Sequence, residues 1–200
     1  MKLIGICGKA GSGKSTVANI IENCLKTKKM PAILSFSNEV KKIAKSCFGW
    51  NGEKDENGRK LLQMIGKAGR LYDKNIWIKY LHKELMNYIY AKINLKNTFD
   101  FVIIDDVRFD NEAKYVLNDK NLFNELSIER TQIKHVLELK PIGKIIKIEG
   151  RMLDLKENSK DESENGLTKQ WESAIINNSG NIDDLKKSVY NFLKANEYIK

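Results

Sequence analysis

Gly8-Lys9-Ala10-Gly11-Ser12-Gly13-Lys14-Ser15 meets the spacing G-x-x-x-x-G-K-[ST], and it falls between an apolar run and an amphipathic one. Residues of these types at this spacing cradle phosphate. Glycine at 8, 11 and 13 lets the backbone N–H groups of the loop, those of Ala10 and Ser12 included, converge on phosphate oxygens. They do so at the positive end of the helix that follows. Lys14 is expected to reach the β- and γ-phosphates of a nucleoside triphosphate. The Ser15 hydroxyl is expected to ligand Mg²⁺, and Thr16 to touch the α-phosphate or pack. A Gly-rich turn with a chance lysine is the alternative, and eight matched residues in the right context argue against it.

Asp105 and Asp106 close a second apolar run, Phe101-Val102-Ile103-Ile104. Ligands of open α/β sheets collect at the carboxyl ends of strands, so a metal-organising carboxylate is expected there. Adjacent residues leave a strand on opposite sides. Asp106 is the favoured metal residue and Asp105 the second choice. The chain has 30 lysines but only five arginines, Arg59, Arg70, Arg108, Arg130 and Arg151. The planar guanidinium fork holds phosphate oxygens in pairs, which ammonium does not. Arg108 is expected to clamp an acceptor phosphate, with a salt bridge to Asp110 or Glu112 as the plain alternative. Arg59 and Arg70 bracket a predicted helix that also presents Gln63. Eleven residues make about three turns, so the two arginines share a face. Arg151 precedes a charged segment, 151–166, that reads as a lid, and lids bring arginine onto transferring phosphate. Trp77 and Tyr80 lie on an apolar helical stripe, either as core or as a platform for a base. Asn177-Asn178-Ser179-Gly180 suits a loop beside the nucleobase of the donor, and turn chemistry explains it equally well.

Positioning these groups requires strands and helices in alternation. Apolar runs at 2–7, 32–36, 101–104, 145–148 and 174–176 read as strands buried on both faces. Helical spacing of apolar residues appears at 14–26, from 38 to Gly49, at 59–71, 75–92 and from Asn181 onward. Asp110 is expected to cap a short helix to 117, and a further helix is expected around 125–139. Residues 51–58 are polar and read as loop. The pattern predicts right-handed βαβ units, hence an α/β fold with a three-layer parallel sheet in one domain.

The 200 residues suit one domain. The first apolar stretch is too short for a signal peptide, and 18 apolar residues nowhere run together. No membrane association is expected, and a soluble cytoplasmic protein is. Cys7, Cys24 and Cys47 lack CxxC spacing, and His82 and His135 are the only histidines, so core thiols are expected and a zinc site is not. Net charge is +9, with +11 in residues 1–100 and −2 in residues 101–200. The lysines are scattered without interleaved aromatics, which favours a polyanionic small substrate over nucleic acid. A monomer or a homodimer fits the sequence equally well.

Several segments together resemble the phage-type deoxynucleoside monophosphate kinases. They are residues 8–15, Ser35-Phe36-Ser37-Asn38-Glu39-Val40-Lys41, Arg59-Lys60-Leu61-Leu62-Gln63-Met64-Ile65-Gly66, Arg70, Trp77, Asp106-Val107-Arg108-Phe109-Asp110-Asn111-Glu112-Ala113, Ser163-Glu164 and Ile176-Asn177-Asn178. The resemblance implies a P-loop kinase fold with a core (1–37, 96–150 and 174–200), a monophosphate-binding part (38–95) and a lid. It implies transfer of the γ-phosphoryl of ATP to a (deoxy)nucleoside monophosphate with Mg²⁺, in the host cytoplasm if the protein is viral. Lys14 and Ser15 would then serve the donor and Asp106 the metal. Arg59, Gln63, Arg70, Trp77 and Arg108 would line the acceptor site, with Arg151 in the lid and Asn178 by the donor. Asp110 stands where such motifs carry proline, and Ser37 near where they carry alanine. The acceptor phosphate is already ionised at pH 7, so this chemistry needs positioning and charge rather than a general base.

Overall fold

The computed structural model describes residues 2–26, 31–94, 101–126, 142–150, 162 and 166–199. Arg151, nearly all of the segment read as a lid, and the helix expected around 125–139 beyond residue 126 lie outside them. The elements run β1 (Lys2–Cys7), α1 (Lys14–Leu25), β2 (Ala32–Leu34), α2 (Asn38–Phe48), α3 (Glu56–Tyr72), α4 (Ile76–Asn94) and β3 (Phe101–Val107). Then come α5 (Asp110–Val116), α6 (Lys120–Glu125), β4 (Ile142–Gly150), β5 (Ala174–Asn178) and α7 (Ile182–Ala195). The five strands form one parallel sheet in the order β2-β3-β1-β4-β5. β1 is central, with Ile4 beside Ile103 on one flank and Ile6 beside Ile146 on the other.

Both faces of the sheet are covered, which is why its strands read as unbroken apolar runs rather than as alternation. On one face Leu3, Cys7, Val102, Ile104 and Ile145 pack with Ile78, Leu81 and Leu85 of α4, Tyr115 of α5 and Leu122 of α6. On the other, Ile4, Ile6, Ile103, Ile146 and Ile148 pack with Val17, Ala18 and Ile21 of α1 and Leu185, Val189 and Leu193 of α7. The result is the expected three-layer α/β architecture. No helix among the described residues is long and apolar enough to cross a membrane.

Several boundaries move for identifiable reasons. β2 stops at Leu34 because the Phe36 and Ser37 N–H groups leave the ladder for the Asp106 carboxylate, at 2.9 and 3.1 Å. α3 begins at Glu56, inside the stretch read as loop, because Asp55 caps it by accepting the Gly58 N–H at 2.7 Å. α5 is capped differently from expectation. Its N-cap residue is Phe109, and the Glu112 carboxylate accepts the Arg108 and Phe109 N–H groups at 2.8 and 3.1 Å, leaving Asp110 for other partners. α2 ends at Gly49 in the left-handed region, φ 65°, as expected. The cysteines divide. Cys7 is buried, and burial first, then Glu172, pushes its thiol up to about 12, whereas Cys47 is exposed and not a core thiol.

Candidate active site

The loop between β1 and α1 is built around glycine. Gly8, Gly11 and Gly13 have φ of 144°, 78° and 97°, a region side chains disfavour. Space excludes them as well. A Cβ at Gly8 would meet the Ile148 carbonyl oxygen at 2.6 Å, and one at Gly13 would meet Asn178 Nδ2 at 2.3 Å. α1 follows with Gly13 as its N-cap residue, and no side chain caps its first N–H groups. A twelve-residue helix thus presents its positive end at the loop, the arrangement that receives anions. Lys14 Nζ donates to the carbonyls of Gly8 and Lys9, each at 2.8 Å, so its ammonium lies across the loop. Ser12 is buried, and its Oγ has no hydrogen-bond partner among the described residues. Asn178, at the end of β5, is buried and donates to the Ser12 carbonyl at 2.8 Å. Expected beside the donor's base, Asn178 instead braces the backbone of the phosphate loop.

The two aspartates sit where β3 slips register against β1, between the Gly5–Ile104 and Cys7–Val107 pairs, and they take different partners. Asp105, the second choice from sequence, is the one that meets the loop. Its Oδ2 accepts the Ser15 hydroxyl at 3.4 Å. Burial, then the neighbouring Asp106 charge, raises its pKa above the usual carboxylate range, against Lys41 and the hydroxyls of Ser15 and Ser35. Asp106, the favoured metal residue, has its carboxylate oxygens engaged by the Phe36 and Ser37 N–H groups.

Beyond Asp105 lies a collection of cations. Partial burial first, then the charge of Lys41, lowers the pKa of the Lys54 ammonium. Asp105 opposes this, and Arg108 and Arg59 add to it. Lys41, Arg59, Arg108 and Asp105 are therefore all within electrostatic reach of the Lys54 ammonium, and Lys41 is also within reach of Asp105. Arg59 Nε donates to the Lys54 carbonyl at 2.9 Å, which ties the loop before α3 to its first turn. Lys41 and Lys54 are the members sequence reading missed. Lysine is so common in this chain that neither stood out, although Lys41 lies in the first turn of the helix that follows β2.

Arg70 ends elsewhere. Its guanidinium lies over the Phe109 ring at 4.2 Å, and Nε and Nη2 both donate to Glu162 Oε1, at 3.2 and 3.0 Å. It lines a cavity of about 570 Å³ whose wall includes Lys67, Lys74, Phe109, Lys114 and Leu122. Gln63 is half-buried on α3, one turn beyond Arg59 towards Arg70. Trp77 does not reach this cavity. It is buried, donates Nε1–H to the Gly66 carbonyl at 2.9 Å and lies over Gly69, so its indole pins α4 to α3. Tyr80 stacks on it at 6.1 Å. His82 is also structural. Its Nδ1 is 3.0 Å from the Tyr115 hydroxyl, and burial pushes its pKa down to about 4.

No family model matches the chain. Two solved structures of Mycobacterium tuberculosis APS kinase CysC, one a cysteine-to-alanine mutant and one in complex with AMPPNP and APS, overlay on 96% of it. They cover 96% and 97% of their own chains at 11% and 10% identity, with TM-scores of 0.38 and 0.37, too low to bear on function. The mimivirus (Acanthamoeba polyphaga mimivirus) protein named "Putative deoxynucleotide monophosphate kinase" is 32% identical over 137 residues, 58% of this chain and 68% of that one. With the glycine loop, Lys14 and the strand-end carboxylates in place, and at that identity over two thirds of the relative's length, the chain belongs to the deoxynucleotide monophosphate kinase family of P-loop proteins.

Proposed function

We propose that the protein transfers the γ-phosphoryl group of ATP to a nucleoside or deoxynucleoside monophosphate, giving the diphosphate and ADP. One observation carries this reading. Asp105 touches a first phosphate-attracting surface, the glycine loop with Lys14, through the Ser15 hydroxyl, and a second set of cations, Lys41 and Lys54 with Arg59 and Arg108 near Lys54, lies within electrostatic reach. A triphosphate alone occupies the first. The second has a use only for another anion, and its closeness to Asp105 suits one that reacts with the first.

On this reading α2, α3 and α4 form the monophosphate-binding part. The acceptor phosphate rests among the four cations, Gln63 lies along its length, and the base turns towards the cavity beside Arg70 and Phe109. The residues around Ser15 fit Mg²⁺. They are hard oxygen donors and few, as suits an ion that keeps several waters, and burial leaves the Asp105 charge poorly compensated. Ser15 and Asp105 would hold the ion, which when bound offsets charge on the donor phosphates. Lys14 neutralises the β- and γ-phosphates, and the acceptor-side cations hold an ionised phosphate oxygen in line. No proton needs removing before attack, which agrees with a site that draws on neither His82 nor Cys7.

Arg108→Lys keeps the charge and loses the fork. A rise of about tenfold in acceptor KM or a similar fall in kcat is expected, ~1.4 kcal/mol, with ATP KM unchanged. An effect confined to ATP KM would move Arg108 to the donor side. The activity itself is tested by ADP release from ATP and Mg²⁺ in the presence of each of the eight common nucleoside and deoxynucleoside monophosphates. At least one should raise the rate well above that of ATP alone, and stimulation by none refutes the reading.

A further inference from the structure

Asp110 opens α5 two residues beyond Arg108, yet its carboxylate serves a distant stretch of chain. Oδ1 accepts the Thr168 N–H at 3.0 Å and the Trp171 indole N–H at 2.9 Å, and Oδ2 accepts the Thr168 hydroxyl. Burial alone would raise the carboxyl pKa, but the bonds from Thr168 and Trp171 outweigh it and hold the group below the usual range. Residues 166–171 belong to no helix or strand. Backbone without a ladder of its own is placed by such side-chain bonds or not at all. Leu167 and Trp171, half-buried against the core under the sheet, also hold this stretch.

The stretch has a location that matters. Gly166, Thr168 and Glu162 line the cavity that Arg70, Phe109 and Asp110 itself also line. Phe109 is the residue before Asp110, and Arg108 the one before that. A single carboxylate therefore fastens one lining stretch of the cavity to the run of chain that carries Arg108.

We propose that Asp110 is a positioning residue for the acceptor site: it fixes 166–171, which lends Gly166 and Thr168 to the cavity lining, and so sets acceptor affinity while leaving the donor loop alone. This rests on the reading that the cavity receives the monophosphate. Asp110→Asn keeps the shape but loses the charge that strengthens every one of these bonds, and an amide N–H₂ replaces one acceptor oxygen. Hydrogen exchange across 166–171 should quicken at least tenfold in this variant. Acceptor KM should rise about tenfold, with ATP KM within twofold of wild type and kcat at saturating acceptor nearly unchanged. Asp110→Glu, which keeps both oxygens, should recover part of the acceptor affinity, and Thr168→Ala should show a smaller loss of the same sign. Should Asp110→Asn fail to fold, the other two variants carry the test. Unchanged exchange, faster exchange with acceptor KM unmoved, or an equal rise in both KM values overturns the proposal. If the wild type phosphorylates no monophosphate, the activity reading has failed on its own account. Calorimetric binding of the monophosphates then decides: about tenfold weaker binding by Asp110→Asn upholds the positioning role, and equal or absent binding overturns it.

Discussion

Lys14→Ala is expected to cut kcat by at least ~10²-fold, about 2.7 kcal/mol of transition-state stabilisation, while the protein stays folded. Lys14 is the first residue of α1, and its ammonium lies over the loop against the Gly8 and Lys9 carbonyls. It is therefore already held where a triphosphate would curl around it. Preorganised charge of this kind accounts for most of the acceleration in phosphoryl transfer. The core supporting the loop, Val17, Ala18 and Ile21 under β1, does not involve this side chain, so the melting temperature should change little. The check is kcat beside a thermal melt. A folded variant that keeps more than about a tenth of wild-type kcat, a loss under ~1.4 kcal/mol, contradicts the donor assignment.

The second large effect separates the paired aspartates. Asp105→Asn should lower kcat by ~10²-fold or more and raise the Mg²⁺ concentration needed for half-maximal rate, because the carboxylate beside Ser15 is lost. The same variant should be no less stable than wild type at neutral pH. The sign follows from linkage: burial and Asp106 raise the Asp105 pKa, so its ionisation costs stability increasingly as pH climbs from the unfolded value through the folded one. A neutral amide removes that cost. Asp106→Asn should behave in the opposite sense. It weakens the bonds from the Phe36 and Ser37 N–H groups, costing about 1–3 kcal/mol and several degrees of melting temperature. Activity should be largely kept below the melt. Titrating Mg²⁺ against rate for both variants checks this. A folded, inactive Asp106→Asn beside a nearly normal Asp105→Asn would return the metal role to Asp106.

That pair shows where sequence reading stops. The strand, its end and the alternation of its side chains are local, so two carboxylates on opposite faces at the carboxyl edge could be read from Phe101-Val102-Ile103-Ile104-Asp105-Asp106. Which face is the site depends on Phe36 and Ser37, seventy residues away, whose N–H groups claim Asp106. The glycine loop was legible because its chemistry demands residues few other structures need in that order. Arginine stood out in a lysine-rich chain for a similar reason, which singled out Arg59 and Arg108, whereas Lys54, the ammonium they influence, and Lys41 beside it were hidden among thirty lysines. The start of α3 was masked by Asn51, Gly52, Asn57 and Gly58, which read as turn residues. Gly58 is buried against Trp50 and Glu53, so its lack of a side chain serves packing rather than a bend. Asn178 and Trp77 carry polar groups whose partners, the Ser12 and Gly66 carbonyls, are backbone atoms and leave no trace in residue type.

The central claim is that phosphate passes from ATP to a second nucleotide and not to water. Incubating the enzyme with ATP labelled at the γ-phosphate, Mg²⁺ and each monophosphate in turn, then separating the products, tests it directly. The label should appear in the β-position of a nucleoside diphosphate, in amounts matching the ADP formed, for at least one acceptor. Label recovered only as inorganic phosphate, at the same rate with and without every monophosphate, would contradict the account.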